Sequence, residues 1–192
     1  LSNPPLGLAF GLDNRALVVT SKEFLLLDPQ TGTSNLYRTL EEQATKTLPV
    51  PLQTFPAQIT QASVGASPDG RSIWGFADKI LFQYDVVSQS LISTQYFADP
   101  ALGPRSISVS ADGLHAALGW WVMDLDRNFP RMYADFGPAL GSLSRGGHAV
   151  DGLRNLVYSE VPVAESDSPV LTVRDLDNLT LRERLQLPEH LA

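Results

Sequence analysis

The stretch that decides the fold runs Val64-Gly-Ala-Ser-Pro-Asp-Gly-Arg-Ser-Ile-Trp-Gly75, continues as Lys79-Ile-Leu-Phe-Gln-Tyr-Asp85 and closes on Val87-Ser-Gln-Ser-Leu91. It is a short apolar segment, a polar turn centred on Asp, a second apolar segment, a third ending in Asp, and a small polar turn. Asp69-Gly70 is a tight-turn dipeptide, because Gly accepts positive φ and Asp caps the preceding backbone. The flanks are filled by Val, Ile, Trp, Phe and Tyr, which suit a pleated, half-buried surface. Within Ile80 to Tyr84, residues 80, 82 and 84 fall on one face and carry the bulk, the alternation of a strand.

The same phrase occurs four times. The first copy holds Leu8 to Asn14, Ala16 to Thr20, Phe24 to Asp28 and the turn Thr31-Gly32. The third holds Ile107 to Gly113, Ala116 to Gly119 and Trp121 to Asp124, and the more worn fourth holds His148 to Gly152, Leu156 to Tyr158, Val170 to Asp175 and the turn Asp177-Asn178. The first Asp of each copy stands at 13, 69, 112 and 151. The long first step comes from a Thr-, Gln- and Pro-rich loop over 41–62, and an insertion over 160–169 lengthens the fourth copy between its first and second Asp, places where loops belong. A fourth strand is expected after each small turn, at 35–38, 91–97, 132–136 and 180–187. Helical signal is confined to Leu40-Glu-Glu-Gln-Ala44 after Thr39, ended by Pro49 and Pro51.

Four antiparallel strands recurring at such a period are the arithmetic of a β-propeller blade. The expected fold is therefore all-β, a single propeller domain over 1–192 with repeats at about 6–40, 62–98, 104–137 and 146–188. A pair of β-sandwiches is the alternative. Propellers commonly have more than four blades, so the chain reads as part of a larger propeller, with 185–192 leading toward a fifth copy. An open set of blades leaves an apolar terminal face, which predicts self-association through the first and last blades.

Ser67, Asp69, Gly70, Ile73 and Asp85 in the second copy, with Ser110, Asp112, Gly113 and Asp124 in the third, carry a resemblance to the YVTN/WD40-like propeller repeats of bacterial secreted and surface proteins. No copy has the Trp-Asp dipeptide of WD40 repeats proper. The resemblance implies a bacterial, exported protein, extracellular or periplasmic, acting as a non-catalytic binding or scaffolding module. It also implies an alternative: a lactonase-like or quinoprotein-like enzyme with a metal or cofactor at the centre of the full propeller.

Composition narrows the partners. Net charge is -7 and no Lys/Arg cluster is present to release counterions, which argues against nucleic acid. There are no cysteines, excluding disulfides and thiolate chemistry. The longest nearly apolar run, Ala116 to Met123, is far short of the roughly 20 residues of a membrane helix, so no membrane insertion is expected. The chain begins at Leu1, which reads as a trimmed or mature fragment compatible with a removed signal peptide.

No catalytic, cofactor-binding or metal-binding set is assigned. His115, His148 and His190 are widely separated and lack paired ligand spacing. Asp124-Leu-Asp126-Arg-Asn128 starts like a calcium loop, but Phe129 stands where the loop needs Gly; Asp175-Leu-Asp177-Asn178 is a similar partial match. Both read as turns. Gly141-Ser-Leu-Ser144-Arg-Gly146 lacks the strand-to-helix setting of a nucleophile elbow, and no helix follows Gly146-Gly147-His148 to cradle a phosphate. Asn178-Leu-Thr180 fits a glycosylation triplet. Trp74, Trp120 and Trp121 are the candidate ligand-binding residues: blade core is their first reading, and an exposed indole stacking on a carbohydrate or peptide is the second. The expected partner is accordingly a protein or a carbohydrate.

Overall fold

The computed structural model describes residues 2–44, 58–78, 80–96, 106–119, 121–126, 129–132, 146–160 and 167–190. These residues form four antiparallel four-stranded sheets, each with its strands in chain order. Blade 1 is β1 (Pro5–Phe10), β2 (Ala16–Thr20), β3 (Glu23–Asp28) and β4 (Thr33–Thr39). Blade 2 is β5 (Ala62–Ala66), β6 (Ser72–Ala77), β7 (Ile80–Asp85) and β8 (Ser90–Tyr96). Blade 3 is β9 (Ile107–Val109), β10 (His115–Leu118), β11 (Trp121–Asp124) and β12 (Phe129–Met132), and blade 4 is β13 (Gly147–Asp151), β14 (Leu156–Glu160), β15 (Val170–Asp175) and β16 (Leu181–Gln186). The fold is the all-β propeller that the repeat implies. The chain divides into two compact units, Leu1–Ala98 and Asp99–Ala192, each holding two blades.

One strand departs from expectation. The fourth strand of blade 3 begins at Phe129 rather than near Met132, because a tight hairpin pairs Asp124 with Phe129 and Trp121 with Met132. Pro130 lies in this edge strand, where its missing N–H costs no ladder bond. Residues 133–136, the rest of the expected strand, lie outside the described residues. The single helix among the described residues, α1 (Leu40–Ala44), has a reciprocal cap: the Thr39 amide donates to Glu42 Oε2 at 2.9 Å and the Glu42 amide donates to Thr39 Oγ1 at 3.1 Å.

In the first unit the core lies between the blades. Blade 1 contributes Ala9, Leu17, Val19 and Phe24; blade 2 contributes Ile73, Ala77, Ile80, Phe82 and Tyr84. Residues 80, 82 and 84 do share the buried face, as their alternation predicts. Phe24 meets Phe82 edge to face with centroids 5.2 Å apart, and Tyr37 meets Tyr84 likewise at 5.3 Å. Burial of each such ring contributes about 1.5–3 kcal/mol. It also pushes the Tyr84 phenol up to about 12. The first strands run side by side, β1 against β5, so closely that a Cβ on Gly7 would stand 3.3 Å from Val64 Cγ2.

The second unit repeats the plan with smaller side chains: Ala117 and Val122 of blade 3 pack on Val157 and Leu176 of blade 4. Its outermost strand, β16, is exposed along its whole length. Arg182, Glu183 and Arg184 there discourage pairing with another edge.

Candidate functional site

Of the three tryptophans singled out as candidate ligand-binding residues, Trp74 belongs to blade 2 of the first unit and Trp121 to blade 3 of the second. Trp74 is only 5% exposed, on the face of blade 2 opposite the one packed on blade 1, and pairs with Gln83 across the ladder. It leaves no open ring face. Trp121 is half-buried and shares its ladder row with Leu118 and Ile107, on the face of blade 3 turned away from blade 4. Its indole nitrogen is shut off from solvent. Trp120 lies outside the described residues.

The polar residues of the repeat have a shared task. In the first turn of each blade the Asp carboxylate accepts a backbone amide just ahead: Arg15 N to Asp13 at 3.1 Å, Arg71 N to Asp69 at 3.0 Å, Leu114 N to Asp112 at 2.9 Å and Arg154 N to Asp151 at 3.0 Å. The Asp ending the third strand does the same, with Gln30 N to Asp28 at 2.8 Å, Ser88 N to Asp85 at 2.6 Å and Asp177 N to Asp175 at 3.1 Å. These bonds favour the ionised form. Asp69 is held below the usual carboxylate range chiefly by the Ser67 hydroxyl, Asp85 by the Ser88 amide and Asp151 by the Arg154 side chain.

The Ser of the phrase closes the same turn. Ser67 Oγ accepts the Ser72 amide at 3.0 Å and donates to Asp69 at 2.7 Å; Ser110 Oγ accepts the His115 amide at 3.0 Å and bonds Asp112. Gly70 and Gly113 complete the turns at φ +66° and +71°, and Asn14 takes that role in blade 1 at +60°. Ser110 is fully buried, so Ser110→Ala leaves the His115 amide without its acceptor. A loss of about 2 kcal/mol is expected by denaturant titration; a loss below about 0.5 kcal/mol would show that the hydroxyl is dispensable.

Neighbouring turns also touch within each unit. The Leu12 amide donates to the Gly70 carbonyl at 2.8 Å, and a Cβ on Gly152 would stand 2.3 Å from Asp112 Oδ2. The Asp175–Asn178 segment is a turn as well: Asn155 Nδ2 donates to Asp177 at 2.8 Å, and Arg182 pairs with Asp175. For the other partial calcium loop, Asp124 and Asp126 are described but residues 127 and 128 lie outside the described residues, as does 141–145. Among the described residues no three His, Asp or Glu side chains group to hold a metal ion.

The histidines are placed in three different settings. His115 sits beside its own turn, with Nδ1 3.7 Å from Asp112 Oδ2. His148 Nε2 lies 3.1 Å from Ser106 Oγ, joining β13 to the approach to β9, and burial lowers its pKa to about 4. His190 lies between Glu160 and the Asp167 carbonyl. The last two pairings were not foreseen. Ser106 and His148 are 42 residues apart and Glu160 and His190 are 30 apart, and of the four only His148 falls within the repeated phrase.

No family model and no curated protein matches the chain. Among solved structures 440 chains match, so the fold is widely shared and by itself selects no function. One is a WD40-type propeller chain in the crystal structure of a mitotic checkpoint complex, similar at a TM-score of 0.55 with 15% identity over 93% of this chain. This chain spans 48% of that one, about half its length. A likeness at this identity establishes the architecture alone, and the architecture is the β-propeller.

Proposed function

We propose that the chain is a binding or scaffolding module for a protein partner, part of an exported bacterial propeller of the YVTN type. The observation that carries this reading is where the repeat's polar groups go: the turn Asp and Ser side chains are engaged in closing their own turns. Such a frame presents its variable turns and leaves chemistry to whatever binds them. The propeller chain of similar architecture comes from a multiprotein complex, which supports a protein partner. The test is made on the full-length protein, with one captured partner purified and titrated against it. Saturable binding without turnover of lactone or alcohol substrates is the expected result. Metal- or quinone-dependent turnover would establish the enzyme reading instead. Fractionation of the source bacterium tests export, and recovery from the cytoplasm would overturn it.

Self-association through a terminal blade belongs to the same proposal. On the face of blade 1 turned away from blade 2, Leu8, Val18, Leu25 and Leu36 form one cross-strand row whose middle, Val18 and Leu25, is buried and whose ends are open. Leu8 is 44% exposed, Phe10 on the same face 49% and Leu36 57%. Apolar exposure of this kind marks a contact surface. The weight-average mass by light scattering is expected to rise above 20.9 kDa with concentration. The double substitution Phe10→Glu, Leu36→Glu should hold it at the monomer, and a wild-type mass that stays monomeric overturns the contact.

A further inference from the structure

The contact between blades 1 and 2 has two unlike sides. Blade 1 offers the cross-strand row Ala9, Leu17 and Leu26, and blade 2 answers with Val64, Gly75 and Phe82. The row on the far face of blade 1, Leu8, Val18 and Leu25, occupies the ladder place of that answering row. Leu8–Val18 lies two pairs from Phe10–Ala16, which closes the first turn, as Val64–Gly75 lies two pairs from Ala66–Ile73. Side chains alternate along a strand, so the far face of blade 1 is built as the answering side of a second such contact.

Blade 4 shows the converse. Ala149, Tyr158, Val173 and Glu183 form a row on its face turned away from blade 3. Ala149–Tyr158 lies one pair from Val150–Val157, as Ala9–Leu17 lies one pair from Phe10–Ala16. In blade 1 both members of that pair are buried; in blade 4 Ala149 is exposed and Tyr158 half-buried. Leu185, on the same face beside Leu171, is 42% exposed.

The chain leaving blade 4 repeats the exit from blade 1. The Leu187 amide donates to the carbonyl of Pro169, just before β15, at 2.9 Å; the Leu40 amide donates to the carbonyl of Lys22, just before β3, at 2.7 Å. Leu40 is fully buried in the core that blade 2 completes, whereas Leu187 is half-buried.

From this match we infer that the two open faces are the two sides of one blade-to-blade contact, each covered by a second copy of the chain: blade 4 of one copy lies on blade 1 of the next. The inference rests on the self-association proposed above and gives it a direction. The contact is heterologous, head to tail, rather than blade 1 on blade 1.

Two variants of the full chain test the direction by light scattering at the highest soluble concentration. Phe10→Glu with Leu36→Glu blocks the blade 1 face, and Ala149→Glu with Leu185→Glu blocks the blade 4 face; all four positions are exposed. Each variant alone should stay at 20.9 kDa. Their equimolar mixture retains one unblocked contact and should give a one-to-one heterodimer of twice that mass. A blade 4 variant that associates like the wild type, or a mixture that stays monomeric, overturns the head-to-tail contact and leaves self-association standing. A monomeric wild type overturns both. If a double variant does not fold, Leu36→Glu and Leu185→Glu singly make the same mixture, with the same outcomes.

Discussion

Gly75→Ala is expected to lower stability by at least about 3 kcal/mol, the upper end of what an extra methyl costs in a packed core. Gly75 faces Phe82 across the β6–β7 ladder, and the phenyl ring folds over the glycine. A Cβ there would stand 2.0 Å from Phe82 Cζ and 2.4 Å from Cε1. The ring has nowhere to retreat, since it is fully buried and packs edge to face on Phe24 of blade 1. The damage would therefore reach the seam between blades 1 and 2. Gly32 supplies the control: its φ is +67° but nothing lies within 4 Å of its Cβ position. Gly32→Ala should show only the backbone penalty of about 1–2 kcal/mol. Pairing Gly75→Ala with Phe82→Leu should recover part of the loss, because the clash belongs to that pair. Denaturant midpoints measure all three. A Gly75→Ala cost under about 1 kcal/mol would mean the ring is not seated over the glycine.

Gly75 also marks the boundary of what the amino-acid order makes legible. The turns could be read because their chemistry is local: Asp69 and its amide donor Arg71 are two residues apart, and Gly70 sits between them. The strand faces could be read because alternation at Ile80, Phe82 and Tyr84 is local too. Gly75 gives no such signal, since its requirement comes from a side chain on the next strand. The fourth strand of blade 3 was misplaced for a related reason: pairing of Asp124 with Phe129 outweighs the unfavourable look of Pro130. The tryptophans were ambiguous because alternation assigns Trp74 to one face of β6 without saying whether that face is buried. Ser106–His148 and Glu160–His190 are contacts between segments far apart in the chain, unmarked by the repeat.

Acid should destabilise the second unit before it affects the turns. The His148 pKa is lowered from 6.5 to about 4, first by burial, with hydrogen bonding acting the other way. Its Nδ1 has no hydrogen-bond partner among the described residues, so the cation would have nothing to donate to. A histidine whose folded pKa is depressed contributes stability that is fully present above its unfolded value and lost as pH falls through the folded one. The window is therefore from about pH 6.5 down to about pH 4, and the loss across it is about 3 kcal/mol. The turn carboxylates Asp69, Asp85 and Asp151 are all held below their ordinary value, so their protonation comes at lower pH. His148→Gln keeps a side-chain polar group near Ser106 but does not titrate, and should flatten stability across the window. Thermal unfolding at several pH values, followed by the ring signals of His148, separates the two effects. Since the neutral ring already leaves one buried nitrogen unpaired, His148→Leu should cost little at pH 7 while abolishing the same slope. An unaltered slope in both variants would assign the acid sensitivity to another group and return His148 to a purely packing role.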